Sequence, residues 1–291
     1  MIALIGAEFL KLRRRWATYV VPLTGIILMG LIFLLVGASA RRIGGGDIGG
    51  SDTSGVEGVL AFPFAFRVID ALVFVLGSYL AIAYAAAVAG ADWSWGIMRV
   101  VISRGEGRIR YVLAKAIGLA IVLVIGLMVT YAFGILFTYM AGALGGFSVG
   151  NPITGGNGGE LFQSFWRGSV VLLERCSLGF AVAMILRSQL AGVVIGIAVA
   201  VAEPILTTIL GALDRISDQS GPFRETGTHW YQYLPFNIGN SVFYGGGSVT
   251  DVGTFTQQSL PFWQALAGVL IYTALFIGVA CLRTRRAEIS G

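Results

Sequence analysis

AKAIGLAIVLVIGLMVTYAFGILFTYMAGAL, residues 114–144, carries a single charged side chain, Lys115, at its start. About 20 mostly apolar residues carry a helix across roughly 30 Å of hydrocarbon, so this stretch is long enough to cross a bilayer. Five further stretches of the same kind cover residues 16–37, 62–90, 161–186, 191–213 and 262–282. Only 12% of the residues are charged and the mean hydropathy is +0.82, whereas a soluble domain carries about 25% charged residues. In lipid, backbone N–H and C=O groups must be paired within the protein, which leaves helices or a closed barrel. Continuous apolar runs select helices. The expectation is an all-α integral membrane protein of six transmembrane helices, a single membrane unit over residues 1–291.

Positive charge fixes the expected orientation, because short cytoplasmic loops hold the excess of Lys and Arg. Lys11, Arg13, Arg14 and Arg15 precede the first span, and Arg99, Arg104, Arg108, Arg110 and Lys115 lie between the second and third. Arg187 separates the fourth from the fifth, and Arg283, Arg285 and Arg286 follow the sixth. The opposite loops hold Arg41, Arg42, Arg215 and Arg224. Both termini are therefore expected in the cytoplasm, in a multi-pass protein of the plasma (inner) membrane. This asymmetry accounts for the net charge of +5 and calls for no nucleic-acid partner; membrane lipid is the expected surrounding.

Residues 1–15 read as an interfacial helix rather than a signal peptide, since the basic cluster follows the apolar residues. Ile2, Ile5, Phe9, Leu12 and Trp16 form one apolar stripe, with Glu8, Lys11 and Arg15 on another face. Cys176 and Cys281 fall inside spans and are expected as packing residues without a disulfide.

Several chemistries are excluded. Lys11 and Lys115 are the lysines of the chain and neither stands in a G-x-x-x-x-G-K-[ST] context, so no nucleotide triphosphate is cradled that way. His229 is the one histidine, which removes multi-histidine metal sites and most Ser-His hydrolases. Gly44, Gly46 and Gly49 spell G-x-G-x-x-G, but no strand precedes them and no helix opens from them. No catalytic, cofactor or metal residue is expected in this chain.

The segment 91–113 is more specific. Its Asp92, Trp95, Gly96 and Arg99, followed by a short apolar helix, a Ser103-Arg104 turn and Lys115 entering the third span, resembles the corresponding loop in permeases of type 2 ATP-binding cassette (ABC) exporters. That family more often has glutamate and threonine where Asp92 and Ile97 stand. The resemblance implies a permease without ATPase activity of its own, paired with a second permease subunit, identical or related. It also implies two separate ATPase subunits that hold ATP and Mg. In such permeases the short helix docks into the ATPase, which makes Asp92, Trp95, Gly96, Met98, Arg99, Ser103 and Arg104 the ATPase-coupling residues, and short re-entrant helices stand before the last span. The physics of the segment agrees: Ile97, Met98, Val101 and Ile102 can form one apolar edge, and tryptophans suit the headgroup layer. An ordinary positive loop is the plainer alternative.

Charges inside spans usually face protein or water, because hydrocarbon penalises them by at least about 2.5 kcal/mol. Arg67 and Asp70 stand three apart and can pair; Arg167, Glu174 and Arg175 lie in the fourth span and Glu203, before Pro204, in the fifth. They read either as a polar route or gate, or as interhelical pairing that fixes the bundle. Gly192, Gly196 and Ala200 form a small-residue packing ridge, within the subunit or across a dimer. Residues 214–261 form a long external segment with an aromatic patch, His229 to Phe236. An ion-gradient-driven secondary transporter remains the second reading of function, although such proteins typically show matched broken helices in both halves.

Overall fold

A computed structural model of the chain describes residues 2–44, 58–103, 107–154, 157–218, 230–244 and 260–286. The described residues are helical throughout their regular structure. An N-terminal helix, α1 (Ile2–Arg13), precedes α2 (Trp16–Gly44), α3 (Phe64–Ser94), the short α4 (Ile97–Ser103), α5 (Arg108–Gly145), α6 (Asn157–Leu186) and α7 (Gln189–Asp218). A 3₁₀ turn (Trp230–Tyr233), the short α8 (Pro235–Phe243) and α9 (Phe262–Arg285) complete the order. Six of these helices, α2, α3, α5, α6, α7 and α9, are long and apolar enough to cross a membrane, so the chain is a multi-pass membrane protein.

The helices overrun the apolar segments that announce them. Helix α5, with 38 residues, measures about 57 Å at 1.5 Å per residue, well beyond the hydrocarbon thickness, so its ends have room for polar turns. Helix α7 continues through Pro204 as far as Asp218, and α2 continues to Gly44, into residues whose glycine-rich composition reads as loop.

The chain divides into two compact units, each assembled from separate stretches of sequence. One unit comprises residues 2–80 and 118–172. Here α1 lies against the beginning of this unit's part of α5: a Cβ on Gly118 would stand 3.6 Å from the Glu8 Cβ and from the Leu12 side chain. Leu12 is buried, as the apolar stripe requires, and so is Glu8, on the face it shares with Lys11. Its carboxylate lies 3.4 Å from the Lys11 ammonium one turn away. Further along, Gly37 of α2 lets that helix touch Ala141 of α5, where a Cβ would fall 2.6 Å from the Ala141 carbonyl oxygen.

The other unit comprises residues 81–117 and 173–291, together with Met1. Its centre is a close crossing of α3, α6 and α7. A Cβ on Gly179 would meet the Ile82 carbonyl at 2.3 Å, one on Gly192 the Ala183 Cβ at 2.6 Å, and one on Gly196 the Ile82 side chain at 2.7 Å. Ala200, one step further along the ridge, is buried as well. The ridge on α7 is thus used within the subunit, with Gly192 against α6 and Gly196 against α3. The remaining faces of α7 and α9 keep large apolar side chains exposed, among them Val194, Ile205, Ile209, Leu270 and Ile271, as lipid contact demands.

Gly192→Val is expected to destabilise the folded protein by about 1–3 kcal/mol, the usual range for overpacking a close contact. Thermal unfolding of the detergent-solubilised protein checks this, and an unchanged Tm would show that the α6–α7 contact is looser than described.

Candidate functional site

The connection from α3 to α5 is built from two sharp turns around one short helix. Helix α3 closes with the Trp95 N–H on the Ala91 carbonyl (2.9 Å) and the Gly96 N–H on the Trp93 carbonyl (3.2 Å). Gly96 then adopts φ +67°, a left-handed conformation that a side chain would disfavour by about 1–2 kcal/mol. That residue lets α4 leave at once in a new direction. Arg99 and Ser103 belong to α4 by their backbone, while their side chains, and Arg104 altogether, lie outside the described residues.

Below this turn sits a buried charge cluster. The Asp92 carboxylate accepts a hydrogen bond from the Tyr111 hydroxyl at 2.5 Å and another from the Lys115 ammonium. Asp92, Tyr111 and Lys115 are all buried. Tyr111 and Lys115 are one helical turn apart on α5 and present the same face, so the two converge on a single carboxylate oxygen. A buried ion pair is worth little against an apolar substitute, but breaking one leaves an uncompensated charge. The pair therefore sets the register between the end of α3 and the start of α5, and with it the two anchor points of α4.

A second set of contacts ties the same end of α3 to the turn between α6 and α7. A Cβ on Gly90 would lie 2.4 Å from the Gln189 Cα, so the two backbones meet. The Trp93 indole N–H points at the Met184 sulfur, 3.3 Å away, and the Arg187 guanidinium lies 5.1 Å from the centre of the Trp93 ring, within the range of a cation–π contact. Arg187 holds φ +53°, which is uncommon for a residue with a side chain. Glycine would fill that position without strain, and the cation over Trp93 gives a reason for arginine. Helix α5 reaches α9 as well: Arg108 donates to the Arg285 carbonyl at 3.3 Å.

Two large apolar side chains of the turn and α4 are exposed. Trp95 is 65% exposed and Val100 51% exposed, while Ile97 and Val101 are half-buried. Met98, expected among the contact residues, is 3% exposed. It is packed into its own chain, since a helix lying on other helices turns one of its faces inward. Among the described side chains of the turn and α4, Trp95 and Val100 are the most exposed large apolar groups.

The intramembrane charges resolve into two separate arrangements. Arg67 and Asp70 do not pair: the Arg67 guanidinium lies 4.8 Å from the Phe64 ring centre, while Asp70 accepts from the Tyr131 hydroxyl at 2.6 Å and the Ser164 hydroxyl at 2.7 Å. Asp70 thereby joins three helices of its unit through neutral donors. In the other unit, the Arg175 guanidinium lies 3.0 Å from the Glu174 carboxylate and donates to the Phe236 carbonyl at 3.0 Å. Glu203 accepts the backbone N–H groups of Phe236 and Asn237 at 2.6 and 3.3 Å. Arg167, on α6, is half-buried and close enough to Asp70 for the two charges to act on each other.

The chain belongs to the family described as protein of unknown function DUF2705. That family's model matches residues 49–290, which takes in both charge clusters, the α4 segment and the ridge on α7. No curated protein matches the chain. Sequence reasoning in this part of the chain named Asp92 and Lys115 but missed Tyr111, Trp93, Met184 and Arg187 as their companions. The turn-length spacing of Tyr111 and Lys115 was the one available signal, whereas the Trp93–Arg187 contact joins residues far apart in sequence.

Asp92→Asn should lower stability by about 3–5 kcal/mol, the usual penalty for leaving a buried cation without its partner. Removing both charges, as Asp92→Asn with Lys115→Met, should restore most of the loss. Thermal unfolding of the three proteins decides it: equal destabilisation by the single and double substitutions would show that the ion pair does not set the α3–α5 register.

Proposed function

We propose that this chain is the transmembrane permease subunit of an ATP-driven exporter, forming the substrate path and receiving its motion from a separate ATPase subunit through α4. The observation that supports this reading most directly is the construction of the α3–α5 connection. A short helix exposes Val100, the turn before it exposes Trp95, and the roots of the helix are fixed by the buried Asp92–Lys115 pair. A helix used to transmit force needs such a combination: a surface that a partner can grip, and a rigid attachment that passes displacement on rather than absorbing it. From Asp92 the attachment extends through Trp93 and Gly90 to the α6–α7 turn, so displacement of α4 would be felt by several spans of this unit together.

In this reading ATP and Mg bind on the ATPase subunits, the complex contains a second permease subunit, and the chain itself catalyses nothing. The resemblance of Asp92, Trp95, Gly96, Arg99, Ser103 and Arg104 to the type 2 exporter loop supports the same assignment. Residues 230–243, with a 3₁₀ turn and a short helix before the last span, agree with the re-entrant elements that such permeases carry.

Trp95→Ala combined with Val100→Asp should leave insertion and unfolding temperature within the small range typical of exposed substitutions, about ±0.5 kcal/mol, while abolishing the co-purification of an ATPase subunit that the proposal expects with the unchanged protein. Transport-coupled ATP turnover in reconstituted vesicles should fall in parallel. Transport by the purified chain alone, driven by an ion gradient without any ATPase, would overturn the proposal in favour of a secondary transporter.

A further inference from the structure

The last span carries a continuous outward-facing track. Ile271, Leu275, Gly278 and Leu282 of α9 follow one another at spacings of three and four residues, so they share one face of the helix. Ile271, Leu275 and Leu282 are exposed. At Gly278 an added Cβ would meet nothing within 4 Å, so the missing side chain leaves a notch in the track that no described group fills. Arg285 and Arg286 stand three and four residues beyond Leu282, on the continuation of the same face, and both are exposed. At 1.5 Å per residue the notch lies about 12 Å along the axis from Arg286. The headgroup layer is roughly 5–8 Å deep on each side of the hydrocarbon, so Arg286 can stand among headgroups while the notch faces acyl chains.

Tertiary structure adds charge at this end of the track. Arg108, at the start of α5, donates to the Arg285 carbonyl at 3.3 Å, which brings a third arginine to the last turn of α9. That bond uses one of the five N–H donors of a guanidinium. Helix α9 contains no acidic residue, and Asp92, the described carboxylate of the α3–α5 connection, is already held by Tyr111 and Lys115. Glu106 and Glu288 lie outside the described residues. Arginines gathered in one place repel one another, and each has a planar fork of donors that matches the oxygens of a phosphate. The orientation rule asks only for positive charge on this side of the membrane; it does not ask that the charge stand at the end of an exposed apolar track with an open notch.

We propose that this face of α9 is a binding site for one anionic glycerophospholipid: an acyl chain lies along Ile271, Leu275 and Leu282 and settles into the Gly278 notch, and the headgroup phosphodiester is held by Arg108, Arg285 and Arg286. The apolar track favours a lipid over a free phosphate. The arginines favour an anionic headgroup over a zwitterionic one, whose phosphate already has its balancing cation. The site goes beyond the exporter reading and does not depend on it, because it uses only α9 and the start of α5.

Lipid titration of the detergent-solubilised full chain, followed by native mass spectrometry, tests it. Phosphatidylglycerol should bind about tenfold or more tightly than phosphatidylcholine with the same acyl chains, the preference expected of two or more basic groups facing an anionic headgroup. Arg285→Gln with Arg286→Gln should remove that preference. Arg13→Gln with Arg14→Gln, which takes the same charge from exposed positions at the end of α1, should keep it. Gly278→Leu fills the notch without a clash and should weaken both lipids about fourfold, the equivalent of roughly one methylene of lost contact, with the preference intact. Excess inorganic phosphate should leave bound phosphatidylglycerol in place. Equal affinity for the two lipids would overturn the site, and so would an equal loss in the two arginine pairs, which would show attraction to diffuse surface charge. Unchanged binding in Gly278→Leu, or displacement of the lipid by phosphate, would overturn it as well, by showing that the arginines take an anion without using the track.

Discussion

Hydrocarbon offers no hydrogen bonds, and that one constraint shapes every part of this protein. Backbone groups must be satisfied within each segment, so the spans are helices. Polar side chains must find partners inside the protein, so each described intramembrane carboxylate is found beside a donor. Asp70 takes two hydroxyls, Asp92 an ammonium and a phenol, and Glu203 the bare start of a helix. The three solutions differ in strength. Hydroxyl donors fix helices to one another without charge, whereas the Asp92 and Glu203 arrangements place charge where no water can replace a lost partner.

This difference divides the polar groups by role. Asp70 joins α3, α5 and α6 in its unit, as interhelical hydrogen bonds commonly do in membranes. Asp92 and Glu203 each secure a short helix, α4 in one case and α8 in the other. Short helices cannot stabilise themselves, since a single turn or two repays little of the ordering entropy. Their positions are therefore set by the spans that hold them. In the exporter reading, α4 is the element that takes up motion, and the ion pair at its root makes that motion common to the surrounding helices. Close packing at Gly90, Gly179, Gly192 and Gly196 supports the same end, because backbones in contact move together better than side chains separated by soft methylene layers.

Much of the architecture was legible in the residues alone. Six spans, the N-terminal helix and a short helix between the second and third spans follow from apolar length and from helical period, and each is present. The ends of the spans were less legible, because apolarity reports the part of a helix that lipid requires, while hydrogen bonding continues for several residues past it, as at Asp218 in α7 and Gly44 in α2. Period put Glu8 on one face with Lys11, but its burial depends on a neighbouring helix that the local pattern does not contain.

What the chain's own order of residues determined is membrane residence, helix number and the location of the α4 segment, for these depend on local composition over about 20 residues. What only the tertiary structure decided is which polar group meets which: that Asp70 ignores Arg67 three residues away, that Met98 turns inward, that the α7 ridge is spent inside the subunit, and that Glu203 caps a helix 33 residues further along. The physical reason is range. Burial in lipid is decided segment by segment, whereas a buried charge is satisfied by whichever donor the packed helices bring within about 3 Å of it, and no spacing along the chain records that meeting.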